Sequence, residues 1–173
     1  LYTPKFEKEL IFSGDPSRFP HIVDWKHSTP LHVYATRAEG VDYSKVHLEG
    51  WRTQQELLLE LSKGGGFGLV WGNSENPAEE RDYYKENVSY KLTTYLAAGI
   101  PVVVPDYLSN ADYIREKGLG FVVSSLEEAS RLVQECTAEE YDQMVTRAKY
   151  TAYLIKNGYF TKKLFIDSMM LLE

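Results

Sequence analysis

The sequence predicts an α/β fold: a Rossmann-like, doubly wound parallel sheet of about six strands, followed by C-terminal helices. Three observations support this prediction. Short apolar runs of strand length alternate with segments of helical periodicity, Gly or Pro marks most of the boundaries, and helical patterns follow one another from residue 127 onward. Because crossovers between parallel strands are right-handed, few strand orders remain, and 3-2-1-4-5-6 fits best.

The first half of the chain is predicted to supply four strands and one helix. The strands are the apolar runs at residues 9–13, 31–35, 46–48 and 67–71. Gly14 and Pro16 end the first run in a turn. Leucines at helical spacing predict a helix at residues 54–61, which the three glycines at 64–66 end.

A polar stretch at residues 73–87 separates the fourth strand from the next helix and contains Pro77. We expect a long loop with a helical turn of its own. Loops of this length usually bind a ligand or move, so we expect a functional role for it.

The second half is predicted to be mostly helical. Ser89 starts a helix that Gly99 ends, and Pro101 cannot continue it. Ser109 with Asp112 resembles a capping box for a following short helix. The remaining elements are strands at residues 102–104 and 120–123, helices at 127–135 and 138–157, and a last helix capped by Thr161.

Length and composition limit the classes of function that the chain can have. A chain of 173 residues that is 43% hydrophobic suits one well-buried core, so we expect a single Rossmann-like domain over residues 1–173. The net charge of -6 argues against a nucleic-acid surface, and no apolar stretch has the length of a membrane span. The single cysteine, Cys136, excludes an internal disulfide and favours a cytoplasmic setting. The start at Leu1 leads us to expect a piece of a longer protein.

The doubly wound order places a ligand crevice outside the carboxyl ends of strands one and four. The loop from Gly14 to Arg18 and the segment at residues 71–73 should therefore lie beside one crevice. The backbone N–H groups at the start of the helix near Ser89 should point into it.

Lys91 is the residue that indicates an anion. It lies in the first turn of its helix, where the helix dipole already repels a cation, unless a negative group such as a diphosphate offsets the repulsion. Arg18 could bind phosphate through its planar guanidinium. The alternative is that Ser89 only caps the helix, Lys91 is a solvated lysine, and Arg18 is an exposed residue of an ordinary turn.

Four segments carry a resemblance to a known family: residues 89–92 (Ser-Tyr-Lys-Leu), 95–104, 118–123 and 158–163. They resemble the carboxy-terminal half of bacterial GT-B glycosyltransferases. The chain is similar to the streptococcal and lactobacillal accessory glucosyltransferases of serine-rich adhesin glycosylation and to β-1,6-galactofuranosyltransferases. The resemblance extends over nearly the whole chain from about residue 9 onward, and it is most specific in the helix near Ser89.

The resemblance implies a domain that binds a UDP-sugar and transfers a hexose, glucose or galactofuranose, to a glycan or glycoprotein acceptor. It implies that Arg18 and Lys91 hold the donor diphosphate. The donor-binding residues that follow are Gly14, Arg18, Trp71, Gly72, Asn73, Asn87, Ser89 and Lys91. It also implies catalysis without a metal or other cofactor, and the chain's four histidines lack ligand spacing on one element. We expect the amino-terminal domain of the family to be absent from this chain and the fragment alone to be inactive, and its catalytic base stays unassigned.

Two other interpretations are weighed against the enzyme. A phospho-receiver or flavodoxin-like module shares the alternation of strands and helices. A receiver needs an acidic cluster after strand one and an Asp after strand three, and the sequence supplies only Asp15 near the first position. A non-catalytic interaction module could use the long helix from Ala138 and the tail from Phe160, whose apolar residues Leu164, Phe165, Met169 and Leu172 need a partner surface. A homo-oligomer through the C-terminal helices is the corresponding expectation. The interaction role can coexist with the enzymatic one.

Overall fold

The computed structural model describes residues 2–72 and 77–171, with residues 77–80 described for their backbone only. Its strands are β1 (Lys5–Ser13), β2 (Leu31–Tyr34), β3 (His47–Leu48), β4 (Gly65–Leu69), β5 (Val102–Pro105) and β6 (Gly120–Val123). Its helices are α1 (Pro20–Val23), α2 (Gln54–Lys63), α3 (Pro77–Glu86), α4 (Tyr90–Ala98), α5 (Ala111–Lys117), α6 (Leu126–Glu135), α7 (Ala138–Lys156) and α8 (Tyr159–Met170). A short 3₁₀ helix, Pro16–Arg18, follows β1.

The strands form one parallel six-stranded sheet in the order β3-β2-β1-β4-β5-β6. Leu10 of β1 lies opposite Leu31 of β2 on one side and Phe67 of β4 on the other. The sequence-based prediction of a doubly wound sheet in this order is confirmed.

The sheet separates two apolar layers, because successive side chains of a strand point to opposite faces. The α6 layer consists of Leu10, Phe12, Val33, Phe67 and Leu69 with Ala129, Val133 and Tyr141. The α4 layer consists of Ile11, Val70, Val102 and Val104 with Leu92, Leu96, Ile114 and Ala148. Both faces of the sheet are therefore covered, as a parallel sheet requires.

The long helix α7 contacts both layers. Tyr141, near its start, is fully buried in the α6 layer and donates its hydroxyl hydrogen to the carbonyl of Gly66 at 3.0 Å. Ala148, two turns later, is buried in the α4 layer. The helix predicted at residues 138–157 is confirmed, with its last residue at Lys156.

Three local expectations are corrected. The stretch at residues 73–87 contains the ten-residue helix α3, because Pro77 occupies a first-turn position that needs no N–H donor. The Ser109 capping box does not form: α5 begins at Ala111 after Asn110, and the backbone N–H of Ser109 donates to the carbonyl of Tyr84. Thr161 does not cap α8, which begins at Tyr159 directly after Gly158.

Helix α8 leaves its apolar side chains in solvent. None of its residues is buried, and Phe165 and Met169 are 67% and 69% exposed. Leu172, which we grouped with them, lies outside the described residues. Among the described residues, no helix combines the length and apolar character that a membrane span needs.

Candidate functional site

A crevice of about 1580 Å³ runs along the carboxyl edge of the sheet. Its central part lies between the loop after β1 and the start of α4. Three segments line it most continuously: residues 13–19 after β1, residues 34–38 after β2 and residues 88–91 at the start of α4. The position agrees with the switch point of a doubly wound sheet, where β1 and β4 are neighbours whose crossovers lead to opposite sides.

The loop after β1 is held by its own hydrogen bonds. The Asp15 carboxylate accepts the backbone N–H of Ser17 at 3.0 Å and the Ser17 hydroxyl at 2.8 Å. These hydrogen bonds lower the pKa of Asp15 below its usual value, so the carboxylate stays ionised at neutral pH. The short 3₁₀ helix that follows ends at Arg18, whose exposed side chain lines the crevice.

Tyr95 of α4 holds the end of β1 in place through its hydroxyl group. Its ring is fully buried, and its hydroxyl accepts the backbone N–H of Ser13 at 2.8 Å and lies 3.2 Å from the Ser13 hydroxyl. A Cβ atom at Gly68 of β4 would overlap the Tyr95 ring, so glycine at this position makes room for it. Because Tyr95 belongs to α4, its side chain connects this helix to the start of the loop after β1. The same loop lies across the crevice from the first turn of α4.

The start of α4 presents unsatisfied donors to the crevice. Ser89 occupies the N-cap position, but its side chain does not cap the helix. The backbone N–H groups of Tyr90, Lys91 and Leu92 have no backbone acceptor among the described residues. Orphan N–H groups and the positive end of the helix dipole together form a site that favours an anion.

Lys91 lies over two aromatic rings at the centre of the crevice. Its Nζ is 5.1 Å from the ring centroid of Phe12 and 4.7 Å from that of Phe19. The Arg18 guanidinium lies 6.0 Å from the same Phe19 ring. Burial and, secondarily, the charge of Arg18 lower the pKa of Lys91.

Lys91 has no carboxylate partner and no hydrogen-bond acceptor within the part of the chain that the structure describes. Gly14 allows its close approach, because a Cβ atom there would lie 3.2 Å from Lys91 Cε and 3.0 Å from Phe12 Cε1. Two cations and a helix start thus converge on one space, and their mutual repulsion would be relieved by a bound anion.

The crevice brings together five of the eight residues that the sequence indicated: Gly14, Arg18, Gly72, Ser89 and Lys91. The Trp71 side chain packs in the α6 layer, with its ring 6.4 Å from that of Tyr107. The side-chain amide of Asn87 donates to the carbonyl of Tyr83 at 3.2 Å and does not line the crevice. Asn73 lies outside the described residues.

The sequence reasoning missed the part of the crevice beyond β2 and β3. Its lining there includes Tyr34, Arg37, Trp51, Arg52 and Gln54. The signal was present, because these residues lie at the end of the second apolar run or follow the second and third runs, and the carboxyl ends of all parallel strands meet at one edge. Within the described ranges, no group of three or more His, Cys, Asp or Glu side chains is arranged to hold a metal ion.

Comparisons with known proteins identify the family. The model of the "Glucosyltransferase 3-like, C-terminal domain" family matches residues 10–168. Glucosyltransferase 3 of Streptococcus gordonii is 54% identical over 170 residues, covering 98% of this chain and 51% of that protein. Glucosyltransferase 3 of Streptococcus parasanguinis is 34% identical over 169 residues, covering 98% and 49%.

More distant similarities extend to other glycosyltransferases. The β-1,6-galactofuranosyltransferase WbbI of Escherichia coli (strain K12) is 27% identical over 155 residues, covering 88% of this chain and 46% of that protein. The crystal structure of WaaG, a glycosyltransferase involved in lipopolysaccharide biosynthesis, aligns with a TM-score of 0.49 at 16% identity over 87% of this chain and 43% of that one, a likeness that carries no functional argument. This chain spans about half the length of the curated relatives that it matches. It belongs to the glucosyltransferase 3-like family, of which it represents the C-terminal domain.

Proposed function

We propose that this domain binds the UDP-sugar donor of a hexosyltransferase, with the donor diphosphate between the Gly14–Arg18 loop and the start of α4. The observation that carries the proposal is Lys91, a partly buried cation that faces Arg18 and has no anionic partner among the described residues. A diphosphate would supply the missing charge. It would also accept hydrogen bonds from the N–H groups of the first turn of α4, which have no backbone acceptor among the described residues.

The nucleoside is proposed to lie on the β4 side of the diphosphate, near Gly72 and Ser89. Gly72 and Ser89 both line the crevice, and Ser89 retains a hydroxyl that its helix does not use. Trp71, Asn73 and Asn87 belong to the same proposal through family resemblance. The two that are described do not line the crevice, so a backbone contact at residue 71 or a changed side-chain direction at residue 87 would be needed.

The proposed chemistry is displacement at the anomeric carbon of the donor sugar, with UDP as the leaving group. The bond from the anomeric carbon to the diphosphate oxygen breaks as the acceptor oxygen forms its bond, and negative charge grows on the β-phosphate. The acceptor hydroxyl gives its proton to a base, which stays unassigned. Fixed cations and a helix start stabilise that charge in place, which is the largest contribution that this domain can make to the rate. Arg18 and Lys91 are therefore proposed as leaving-group stabilisers.

The transferred hexose is proposed to be glucose or galactofuranose, because relatives of both names match the chain. The acceptor is proposed to be a glycan or glycoprotein that an N-terminal domain of the same enzyme helps to bind, and the fragment alone should then be inactive. We propose a cytoplasmic location, since the one cysteine of this chain, Cys136, is buried and unpaired.

An interaction role for α8 is a second candidate, favoured by its exposed apolar side chains, and a homo-oligomer through the C-terminal helices is its simplest form. A UDP titration of the chain by calorimetry separates the two functions. We expect saturable binding in the micromolar to millimolar range, with uridine weaker than UDP. A pure interaction module would give no heat with UDP at millimolar concentration, and that result would overturn the donor-site proposal.

A further inference from the structure

We propose that Phe19 is a positioning residue of the donor site: its ring holds the Lys91 ammonium in place for a diphosphate and leaves the positive charge available. This inference rests on the proposed function, because it uses the assignment of Lys91 to the donor diphosphate. It deepens that function by naming the side chain that fixes the cation before the donor arrives.

Aromatic rings, and no carboxylate of the described residues, hold the Lys91 ammonium. Its Nζ lies 4.7 Å from the ring centroid of Phe19 and 5.1 Å from that of Phe12. Within the described ranges it is the one lysine that lies over two rings, whereas Lys8 and Lys63 each lie over one. The two rings therefore distinguish this lysine from the others of the chain.

A ring and a carboxylate have different consequences for a phosphate ligand. A carboxylate partner, such as the Asp167 that pairs with Lys163 on α8, neutralises the ammonium and repels a second anion. The face of an aromatic ring attracts an ammonium through its quadrupole but carries no net charge. A cation held by rings therefore keeps its full charge for a diphosphate.

The carboxylate of the loop after β1 is engaged within that loop. Asp15 accepts the backbone N–H of Ser17 at 3.0 Å and the Ser17 hydroxyl at 2.8 Å. The charge that acts on Asp15 is that of Arg18. The loop thus stabilises its own backbone with its one carboxylate and presents rings to Lys91.

The Phe19 backbone is fixed on both sides. Its N–H donates to the Pro16 carbonyl at 3.1 Å, and its carbonyl accepts the N–H of Ile22 at 2.9 Å. The following residue, Pro20, has a φ angle that its own ring restricts. The Phe19 ring also packs edge to face on Phe12, with centroids 5.1 Å apart at an angle of 72°. The ring is therefore in place before a ligand binds.

Phe19, and not Phe12, is the ring that can be tested without disturbing the core. Phe12 is fully buried in the α6 layer, whereas Phe19 is half-buried and lines the crevice. The Arg18 guanidinium lies 6.0 Å from the Phe19 ring, farther than the Lys91 ammonium. Phe19 therefore acts mainly through Lys91.

The benefit of this contact is preorganisation. A lysine side chain that moves freely loses conformational freedom when it binds phosphate, and a ring that restrains it beforehand removes part of that loss. For one side chain with many rotamers, the effect corresponds to about threefold to tenfold in Kd. Uridine has no phosphate, so its affinity should not depend on this restraint.

NMR of the chain with isotope-labelled lysine tests the contact without any ligand. Ring currents should displace the ε-methylene signal of Lys91 upfield of the other lysine signals, and Lys91→Met identifies the signal by its loss. The displacement should shrink in Phe19→Leu and persist in Phe19→Tyr, which keeps a ring. An unchanged Lys91 signal in Phe19→Leu would overturn the proposal.

Calorimetry tests the positioning role. UDP should bind about threefold to tenfold more weakly to Phe19→Leu, while uridine binding changes less than about twofold and Phe19→Tyr keeps UDP affinity within about twofold of the parent chain. Phe121→Leu is the matched control, since Phe121 is also half-buried against the α6 layer but does not line the crevice. Equal losses for UDP and uridine, no rescue by tyrosine, or an equal loss in the control would refute the role. Phe19→Met, which also lacks a ring, replaces the leucine variant if that variant does not fold.

A double-mutant cycle shows whether Phe19 acts through Lys91. In the Lys91→Met background, Phe19→Leu should change UDP affinity less than about twofold, because the cation that it positions is absent. Additive losses would contradict the proposal. Absence of UDP binding by the parent chain would instead overturn the proposed function, and with it the role of Phe19, even where the NMR contact is present.

Discussion

Replacing Lys91 by Met tests the proposed diphosphate site most directly. Methionine keeps an unbranched apolar side chain over the rings of Phe12 and Phe19 but removes the ammonium group. Lys91→Ala removes both the charge and the packing. The pair of variants therefore separates the effect of the charge from the effect of the side-chain volume.

The expected loss of UDP affinity follows from the surroundings of Lys91. A charge-assisted contact to phosphate contributes roughly 1 to 3 kcal/mol, which corresponds to about 5-fold to 150-fold in Kd. The upper half of that range is favoured, because the ammonium is partly desolvated and the Arg18 charge lies nearby. Uridine, which has no phosphate, should lose less than about twofold.

Folding stability should change little in either variant. Removing the ammonium relieves its burial, its repulsion from Arg18 and its unfavourable place at the helix start, the last amounting to some 0.3 to 1 kcal/mol. The same change loses two cation–π contacts of roughly 0.5 to 1 kcal/mol each. These effects nearly cancel, so the free energy of unfolding should stay within about 1 kcal/mol of the parent chain.

Isothermal titration of UDP and uridine, with urea denaturation of each variant, provides the measurements. Lys162→Ala is the matched control, since Lys162 lies exposed in the first turns of α8, away from the crevice. Equal losses of UDP and uridine affinity in Lys91→Met, or unfolding of that variant, would refute the diphosphate assignment. So would a loss of equal size in Lys162→Ala.

Three further outcomes are expected. The pKa of His32 is raised to about 9, first by Glu9 and also by Glu49, so the stabilisation from these ion pairs is complete below pH about 6.5 and is lost as the pH rises through about 9. Urea denaturation across this window should show that the free energy of unfolding falls more steeply with pH for the parent chain than for His32→Gln. Equal slopes would contradict this prediction. Tyr95→Phe should lower folding stability by about 1 to 3 kcal/mol, because the Ser13 N–H loses its acceptor. It should also weaken UDP binding more than uridine binding, because the Gly14–Arg18 loop is released. Unaltered affinity for UDP in a folded variant would exclude this positioning role. The chain alone should show no transfer from UDP-glucose or UDP-galactofuranose to an acceptor, and measurable turnover would disprove the need for a second domain.

The sheet was predictable because its signals are local and strong. Short apolar runs bounded by glycine or proline located all six strands, and the handedness of crossovers restricted their order. The misassigned helix starts were decided by tertiary contacts or by backbone geometry. Ser109 donates its backbone N–H to the Tyr84 carbonyl of α3, and Gly158, in the left-handed region at φ 66°, lets α8 start at Tyr159, two residues before Thr161.

The candidate site was predictable where it depended on the switch point. Gly14, Ser89 and Lys91 follow from the ends of strands one and four together with the polarity of a helix start. The crevice lining after β2 and β3 was missed, because the switch point indicates only the ends of strands one and four, and the loop after β3 is held by side-chain contacts such as that of Arg52 with Glu60. Those contacts join side chains eight residues apart on a loop and a helix, and periodicity does not encode them.

Helix α7 couples the melting of the two apolar layers. Tyr141, near its start, is buried in the α6 layer, and Ala148 is buried in the α4 layer. Local opening of either layer therefore removes the packing contacts of one half of the helix. A helix that loses the packing of half its length is only marginally stable in water. The amide protons of α7 should therefore exchange with solvent only through opening of the whole sheet, and both faces should unfold as one cooperative unit.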